Sequence, residues 1–377
     1  MRILVDENMP YARQLFSEFG QVEAISGRDL TPSKLKDVDG LMIRSVTKVN
    51  EALLTEANKL SFVGSATIGT DHVDKSLLMS RDISFVNAPG CNAHSVADYL
   101  ISALFVLAQQ HQFNLRDKTV AIIGVGNIGT RVIDKCEALG INYLLCDPFK
   151  APADAFRQYV SLEEAARADI ITFHVPLTRD GQYPTFHMVD EAFLSALNPG
   201  TVLVNASRGE IIDNKALYHV LSQGKQLPTV LDVWENEPHV MAELLPLVEL
   251  ATAHIAGYSL EGKARGTEMI YQAFADHCGR RVSQHLEDFL PQPEIAGFNL
   301  GQPPTPEIVQ RLVHAVYDVR RDDKLFREHA LAGKGFDWLR RFYPERRELS
   351  SAVITGNPSV TSLQLAPLYQ LGFSRPD

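Results

Sequence analysis

The hexapeptide Gly124-Val-Gly126-Asn127-Ile128-Gly129 restricts this chain more than any other feature. A glycine-rich turn alone is common, but this one lies between the apolar run Val120–Ile123 and a helical pattern from Thr130 to Leu139. Strand, turn and helix in that order open a βαβ unit that holds a dinucleotide. Gly124 permits the tight turn, Gly126 lets the backbone approach a pyrophosphate, and Gly129 lets helix and strand pack closely. The helix start offers unbonded N–H groups and a favourable field to phosphate oxygens. The next apolar strand, Tyr143–Cys146, runs into Asp147, eighteen residues after Gly129. A carboxylate there accepts hydrogen bonds from the ribose hydroxyls and repels a 2′-phosphate, so the reading is NAD rather than NADP.

Around this unit, short apolar runs alternate with helical stretches. Ile3–Val5, Gly40–Ile43, Phe62–Ser65 and Ile83–Val86 read as strands before it. Ile170–His174, Val202–Asn205 and Thr229–Asp232 read as strands after it. The rhythm is that of an α/β protein with parallel sheets. A long helix is predicted from about Val96 to Gln110, with Ser95 or Asn92 as its cap, and another over Gly257–Cys278. At 377 residues the chain needs two or three domains. Pro291, Pro293, Pro303, Pro304 and Pro306 mark a change of composition. An amphipathic helix pattern then runs from Pro306 to about Arg321, and the cluster Trp338-Leu-Arg-Arg-Phe-Tyr follows, so the tail reads as a third, smaller domain.

A formal charge of −10 disfavours nucleic acid and anionic membrane surfaces as partners, yet leaves room for a small anion held by a few local cations. Cys91, Cys136, Cys146 and Cys278 show no metal-ligand spacing and read as reduced thiols; no metal is expected. The longest apolar block, Tyr99–Ala108, is far short of the ~20 residues a membrane span needs, and a cytoplasmic protein is expected.

Three further segments put polar groups at strand ends: Asn205-Ala-Ser-Arg208, Asp232-Val-Trp-Glu-Asn-Glu237 and Ala253-His254. In a parallel α/β sheet ligands collect at the carboxyl ends of strands, so these residues share one crevice. Oxidising a 2-hydroxy acid requires a base for the hydroxyl proton, a cation for the carboxylate and a group that supports the charged base. His254 suits the first role, Arg208 with its planar fork the second, and Glu237 the third.

As a set, Gly124-Val-Gly-Asn-Ile-Gly, His174-Val-Pro-Leu-Thr, Asn205-Ala-Ser-Arg-Gly-Glu-Ile-Ile-Asp, Asp232-Val-Trp-Glu-Asn-Glu-Pro and His254-Ile-Ala-Gly-Tyr resemble the D-isomer-specific 2-hydroxyacid dehydrogenases over roughly residues 1–280. That resemblance implies two Rossmann-like, doubly wound parallel-sheet domains. Residues 1–95 with 258–285 would bind substrate and 96–257 would bind NAD. It implies the roles given above for Arg208, Glu237 and His254. It also implies that Asp232 faces the nicotinamide carboxamide and that Val175, Ala206, Ser207 and Gly257 line the cofactor cleft.

Within the family, three features resemble a branch that acts on a phosphorylated hydroxy acid. They are Arg44-Ser45-Val-Thr47 with Gly64-Ser-Ala-Thr67, the long stretch Arg179–His187, and a C-terminal extension. In that branch residues 286–377 would form an α+β dimerisation domain of a homodimer. Ser45 and Thr67 match positions that hold substrate, Tyr258 is a third, and Arg44 stands beside them as a cation for phosphate. The alternatives are oxidation of 3-phosphoglycerate or another D-2-hydroxy acid, and a nucleotide-sensing dimer that binds protein partners.

Overall fold

In the computed structural model, which describes residues 1–331 and 333–376, the chain forms two compact units. Met1–Asn92 and Ser259–Gln292 make the first, and Ala93–Tyr258 with the residues from Pro293 onward make the second.

The first unit holds β1 (Arg2–Asp6), β2 (Gln21–Ile25), β3 (Gly40–Ile43), β4 (Phe62–Ser65) and β5 (Ser84–Asn87). All pair in parallel, in the order β2-β1-β3-β4-β5. β3 and β4 are buried throughout, which is why they read as continuous apolar runs. The helix Leu260–His277 packs on them closely enough that a Cβ at Gly64 would lie 2.3 Å from Ile270 Cγ2. Phe274 of that helix sits among Phe16, Phe19 and Phe62, with ring centroids 5.1–5.8 Å away. β2 escapes the sequence reading because it is an edge strand, exposed at Gln21 and half-buried beyond it.

The second unit contains β6 (Thr119–Ile123), β7 (Asn142–Cys146), β8 (Ile170–Phe173), β9 (Val202–Asn205), β10 (Thr229–Leu231) and β11 (Leu250–Ala251). They form one parallel sheet in the order β11-β10-β9-β8-β6-β7. The direction of winding reverses at β6, so the crevice for a ligand opens beyond the ends of β6 and β8. β11 has two residues, too few to leave a pattern. The smaller C-terminal region adds a parallel pair, β12 (Gly297–Leu300) and β13 (Val353–Gly356), with the helices Pro306–Val316, Arg320–His329, Phe336–Arg341 and Ser362–Leu371. Among the described residues no helix is long and apolar enough to cross a membrane.

Two expectations are corrected. The helix from Pro306 stops at Val316, because Tyr317 turns extended (φ −145°, ψ 117°) and buries its ring; a separate helix starts at Arg320. Ser95 does not cap the long helix Ala93–Gln110 but lies inside its first turn, where its hydroxyl donates to Glu348 at 2.8 Å.

That serine belongs to a polar row. Ser95, Asp98 and Ser102 are buried and share one helix face by their i, i+3, i+7 spacing. Asp98 pairs with Lys135 at 2.5 Å and accepts the Leu349 N–H at 3.0 Å. Ser102 donates to the Tyr317 carbonyl and accepts the Val319 N–H, both at 3.0 Å. Lys135 also donates to the Leu371 carbonyl. Three helix residues thus fasten the C-terminal region to the nucleotide-binding sheet's own unit. Removing one member of a buried ion pair strands the other charge, at about 3–5 kcal/mol. Asp98→Ala should lower stability by that order in urea denaturation, whereas Asp98→Leu with Lys135→Met should recover much of the loss.

Candidate active site

The glycine turn after β6 is built as its sequence demands. Gly124 adopts φ 91°, and a Cβ there would lie 2.7 Å from the His174 carbonyl oxygen. A Cβ at Gly129 would lie 2.2 Å from the Gly124 carbonyl oxygen. At Gly126 a Cβ would meet nothing within 4 Å, so the glycine keeps open a cradle that any side chain would fill. Gly126 also caps the helix Asn127–Leu139 without a side-chain hydrogen bond, leaving the first-turn N–H groups of Asn127, Ile128 and Gly129 directed at the cradle. Asp147, at the end of β7, accepts N–H bonds from Val125 (2.9 Å), Phe149 (3.2 Å) and Lys150 (3.1 Å). A carboxylate has about four acceptor sites, so ribose can still be bound there. These features fit a dinucleotide. Val175 follows β8, its Cγ1 beside Gly124.

The segments after β9, β10 and β11 carry the rest. Asn205 orders the first of them: its Oδ1 accepts the Ser207 N–H and hydroxyl at 3.1 and 2.8 Å, and its Nδ2 donates to the Arg208 carbonyl at 2.9 Å. Ala206 is half-buried between them. Arg208 anchors one Nη on the Ser207 carbonyl at 2.8 Å. A Cβ on Gly209 would lie 2.1 Å from the Trp234 carbonyl, so only glycine lets this segment abut the Trp234–Glu237 loop.

Glu237 accepts the Trp234 N–H at 2.8 Å through one oxygen and faces His254 Nδ1 at 2.8 Å through the other. Burial alone would raise the Glu237 carboxyl. The His254 charge and hydrogen bond, the Trp234 N–H and the Arg340 charge outweigh it and hold the group below the usual range. With Nδ1 engaged by Glu237, Nε2 is the histidine's other ring nitrogen able to exchange a proton. The side chains keep 34% and 20% of their surface exposed, so the pair is covered but reachable.

His254 itself has φ 56°, a left-handed conformation uncommon for a residue with a side chain. Asp232 holds it there. The Asp232 carbonyl accepts the His254 N–H at 2.7 Å, and its carboxylate accepts the Ile255 and Ala256 N–H groups at 2.8 and 2.9 Å and the Thr252 hydroxyl at 2.6 Å. Burial pushes the Asp232 carboxyl upward, against His254 and these donors. Three of its acceptor positions therefore serve the turn. Gly257 and Tyr258 complete it, both half-buried.

Of the residues read as substrate contacts, Arg44, Ser45 and Thr67 lie in the first unit, at the ends of the adjacent strands β3 and β4. Ser45 is exposed, Arg44 donates to the Asn8 carbonyl at 3.2 Å, and the Thr67 hydroxyl donates to the Gly69 carbonyl at 2.8 Å. Tyr258 lies in the second unit, where Arg340 donates to its hydroxyl oxygen. The sequence reading placed Asn205 at its strand end without a role and missed Thr252, Arg340 and Arg346. The last two lie in or just beyond the Trp338–Tyr343 cluster, which was visible but carried no spacing rule.

A dinucleotide cradle and a carboxylate-paired histidine, each just beyond a strand of one parallel sheet, fit hydride transfer, and the chain is an NAD-dependent dehydrogenase. Residues 103–256 match the family model of the D-isomer specific 2-hydroxyacid dehydrogenase NAD binding domain, and residues 289–372 match a domain of unknown function. Among curated relatives, erythronate-4-phosphate dehydrogenase of Pseudoalteromonas translucida is 50% identical over 375 residues, covering 99% of both chains. The enzyme of that name from Escherichia coli K12 is 50% identical over 376 residues, covering 99% of this chain and 98% of its own. Among solved structures, NAD-bound 3-phosphoglycerate dehydrogenase of Entamoeba histolytica shares the fold, with TM-score 0.64 and 23% identity over 74% of this chain and 95% of that one. The chain belongs to the D-isomer-specific 2-hydroxyacid dehydrogenase family.

His174, at the end of β8, supplies a pH signature. Its Nε2 lies 3.0 Å from the Thr172 hydroxyl, while Nδ1 is sealed from solvent without a hydrogen-bond partner among the described residues. Burial drives its pKa down to about 3. The unfolded chain, with histidine near ~6.5, binds the extra proton between those values, so this group's stability is lost as pH falls below about 6.5, at up to ~1.4 kcal/mol per unit. Urea midpoints at pH 7.5, 6.5 and 5.5 should fall more steeply for the native protein than for His174→Gln.

Proposed function

We propose that this chain oxidises erythronate 4-phosphate at C2 to the corresponding 2-oxo acid, within pyridoxal 5′-phosphate (vitamin B6) biosynthesis. The observation that supports this reaction is the 2.8 Å contact between His254 Nδ1 and Glu237, which leaves Nε2 as the ring nitrogen for a substrate hydroxyl. NAD, when bound, accepts the hydride from C2. Arg208 pairs its planar fork with the substrate carboxylate and fixes C2 in place. His254 Nε2 takes the hydroxyl proton, and Glu237 stabilises the imidazolium that results. Gly124, Gly126, Asn127, Ile128, Gly129, Asp147, Val175, Ala206, Ser207, Asp232 and Gly257 hold the cofactor. Ser45, Thr67 and Tyr258 hold the substrate, with Arg44 as a cation for its phosphate.

The substrate rests on the name shared by full-length relatives at 50% identity. We assign residues 286–377 to a homodimer contact. Ile295, Leu331, Phe342 and Leu363 of that region, 39–83% exposed, support this, and light scattering on the full chain should read twice the 41.9 kDa chain mass. A cytoplasmic location fits the four free cysteines.

NADH formation should be selective for erythronate 4-phosphate over 3-phosphoglycerate and unphosphorylated erythronate. Selectivity for another hydroxy acid would retain the mechanism and discard the substrate. His254→Ala should lose about 10²–10⁴ in turnover. Arg208→Lys should lower kcat/KM, since an ammonium lacks the two parallel donors; an unchanged value would point to another carboxylate clamp.

A further inference from the structure

The short helix Phe336–Arg341 brings Arg340 to the edge of the site. Its Nε and Nη2 both point at the Tyr258 hydroxyl oxygen, at 3.1 and 2.7 Å, and its guanidinium carbon lies 5.5 Å from the centre of the Tyr258 ring. The Tyr343 ring meets the Tyr258 ring edge-on at 5.9 Å, and the Tyr343 hydroxyl is itself held by Asp322 at 2.6 Å. Tyr258 stands four residues beyond His254, and its N–H donates back to the Ile255 carbonyl at 2.8 Å. Arg340 is also near enough to Glu237 for its charge to favour the ionised carboxylate.

We infer that Arg340 is a positioning residue for the substrate's anionic end, acting through the Tyr258 hydroxyl; the inference rests on the reaction assigned above. A phenol oxygen that accepts two N–H groups from a cation directs its own hydrogen away from that cation. Hydrogen bonds polarise one another in sequence, so the phenol becomes a stronger donor to an oxyanion. The guanidinium supplies the charge without touching the substrate, and the tyrosine supplies the contact. An arginine from the C-terminal region thereby tunes recognition of an anion by the nucleotide-binding unit of the same chain. Arg341, the next residue, does not share this geometry: its guanidinium lies over the exposed Phe342 ring.

The test is a double-mutant cycle on the full-length protein with Arg340→Met, Tyr258→Phe and the pair. It is read by steady-state kinetics and by calorimetric binding of erythronate 4-phosphate to the NADH-loaded protein. Arg340→Met should raise KM and the dissociation constant about ten-fold, the equivalent of one charge-assisted hydrogen bond, with a smaller change in kcat. Tyr258→Phe should do the same, the double variant should be no worse than Tyr258→Phe, and Arg340→Lys should recover part of the loss. NADH affinity should stay unchanged in all of them, which shows that the variants are folded. Additive effects of the two changes, or an Arg340→Met protein within two-fold of native affinity, would overturn the inference. A native protein that binds this ligand but does not oxidise it would defeat the assigned reaction, while the binding cycle would still decide the role of Arg340.

Discussion

Everything at the site depends on one turn held in a conformation it would not choose. His254 occupies the left-handed region, which costs an ordinary side chain roughly 1–2 kcal/mol. The turn is gripped from two sides. On one, Asp232 accepts the N–H groups of residues 254, 255 and 256 through its carbonyl and carboxylate. On the other, the buried Arg346 guanidinium donates to the Ala256 carbonyl at 3.0 Å and the Ile255 carbonyl at 3.4 Å. A buried anion and a buried cation thus satisfy opposite faces of the same peptides.

Arg346 extends the grip further. It stacks on the Tyr317 ring at 3.6 Å and donates to the Ser95 carbonyl at 2.5 Å, where the long helix begins. Ser95 in turn donates to Glu348, two residues from Arg346. Helix start, histidine turn and C-terminal region are therefore one hydrogen-bonded body within the second unit. Whatever else the C-terminal region does, it is part of what shapes the histidine turn. A family-wide nucleotide-binding domain stops at residue 256 by its matched span, so this chain obtains part of its turn's support from residues beyond that span.

The nucleotide cradle was legible in the sequence because its chemistry is local: glycine spacing, strand and helix lie within twenty residues of one another. The same holds for the positions of Arg208 and Glu237, which follow apolar strands whose ends the pattern marks, whereas His254 follows the two-residue β11. What stayed hidden was either too short or non-local. β2 is an edge strand with mixed exposure, and β11 has two residues. Asp98 and Lys135 read as ordinary charges, since nothing in their neighbourhood announces that they pair in the core. Arg340 and Arg346 find their partners 82 and 90 residues away, beyond the reach of any spacing rule. The break at Tyr317 was invisible for a similar reason, because the ring is drawn inward by Asp322 and Arg346 rather than by helix propensity.

The most direct measurement is the rate of the first turnover when NAD and erythronate 4-phosphate are mixed with native protein or Arg346→Gln. Arg346 bonds the Ile255, Ala256 and Ser95 carbonyls and stacks on Tyr317, none of them assigned to the cofactor, so NADH affinity should be retained. Misplacing the base by about an ångström should slow the burst by roughly 10²-fold. A burst at the native rate, in a variant that no longer supports the Ala256 carbonyl, would contradict the claim that the clamped turn sets the geometry of catalysis.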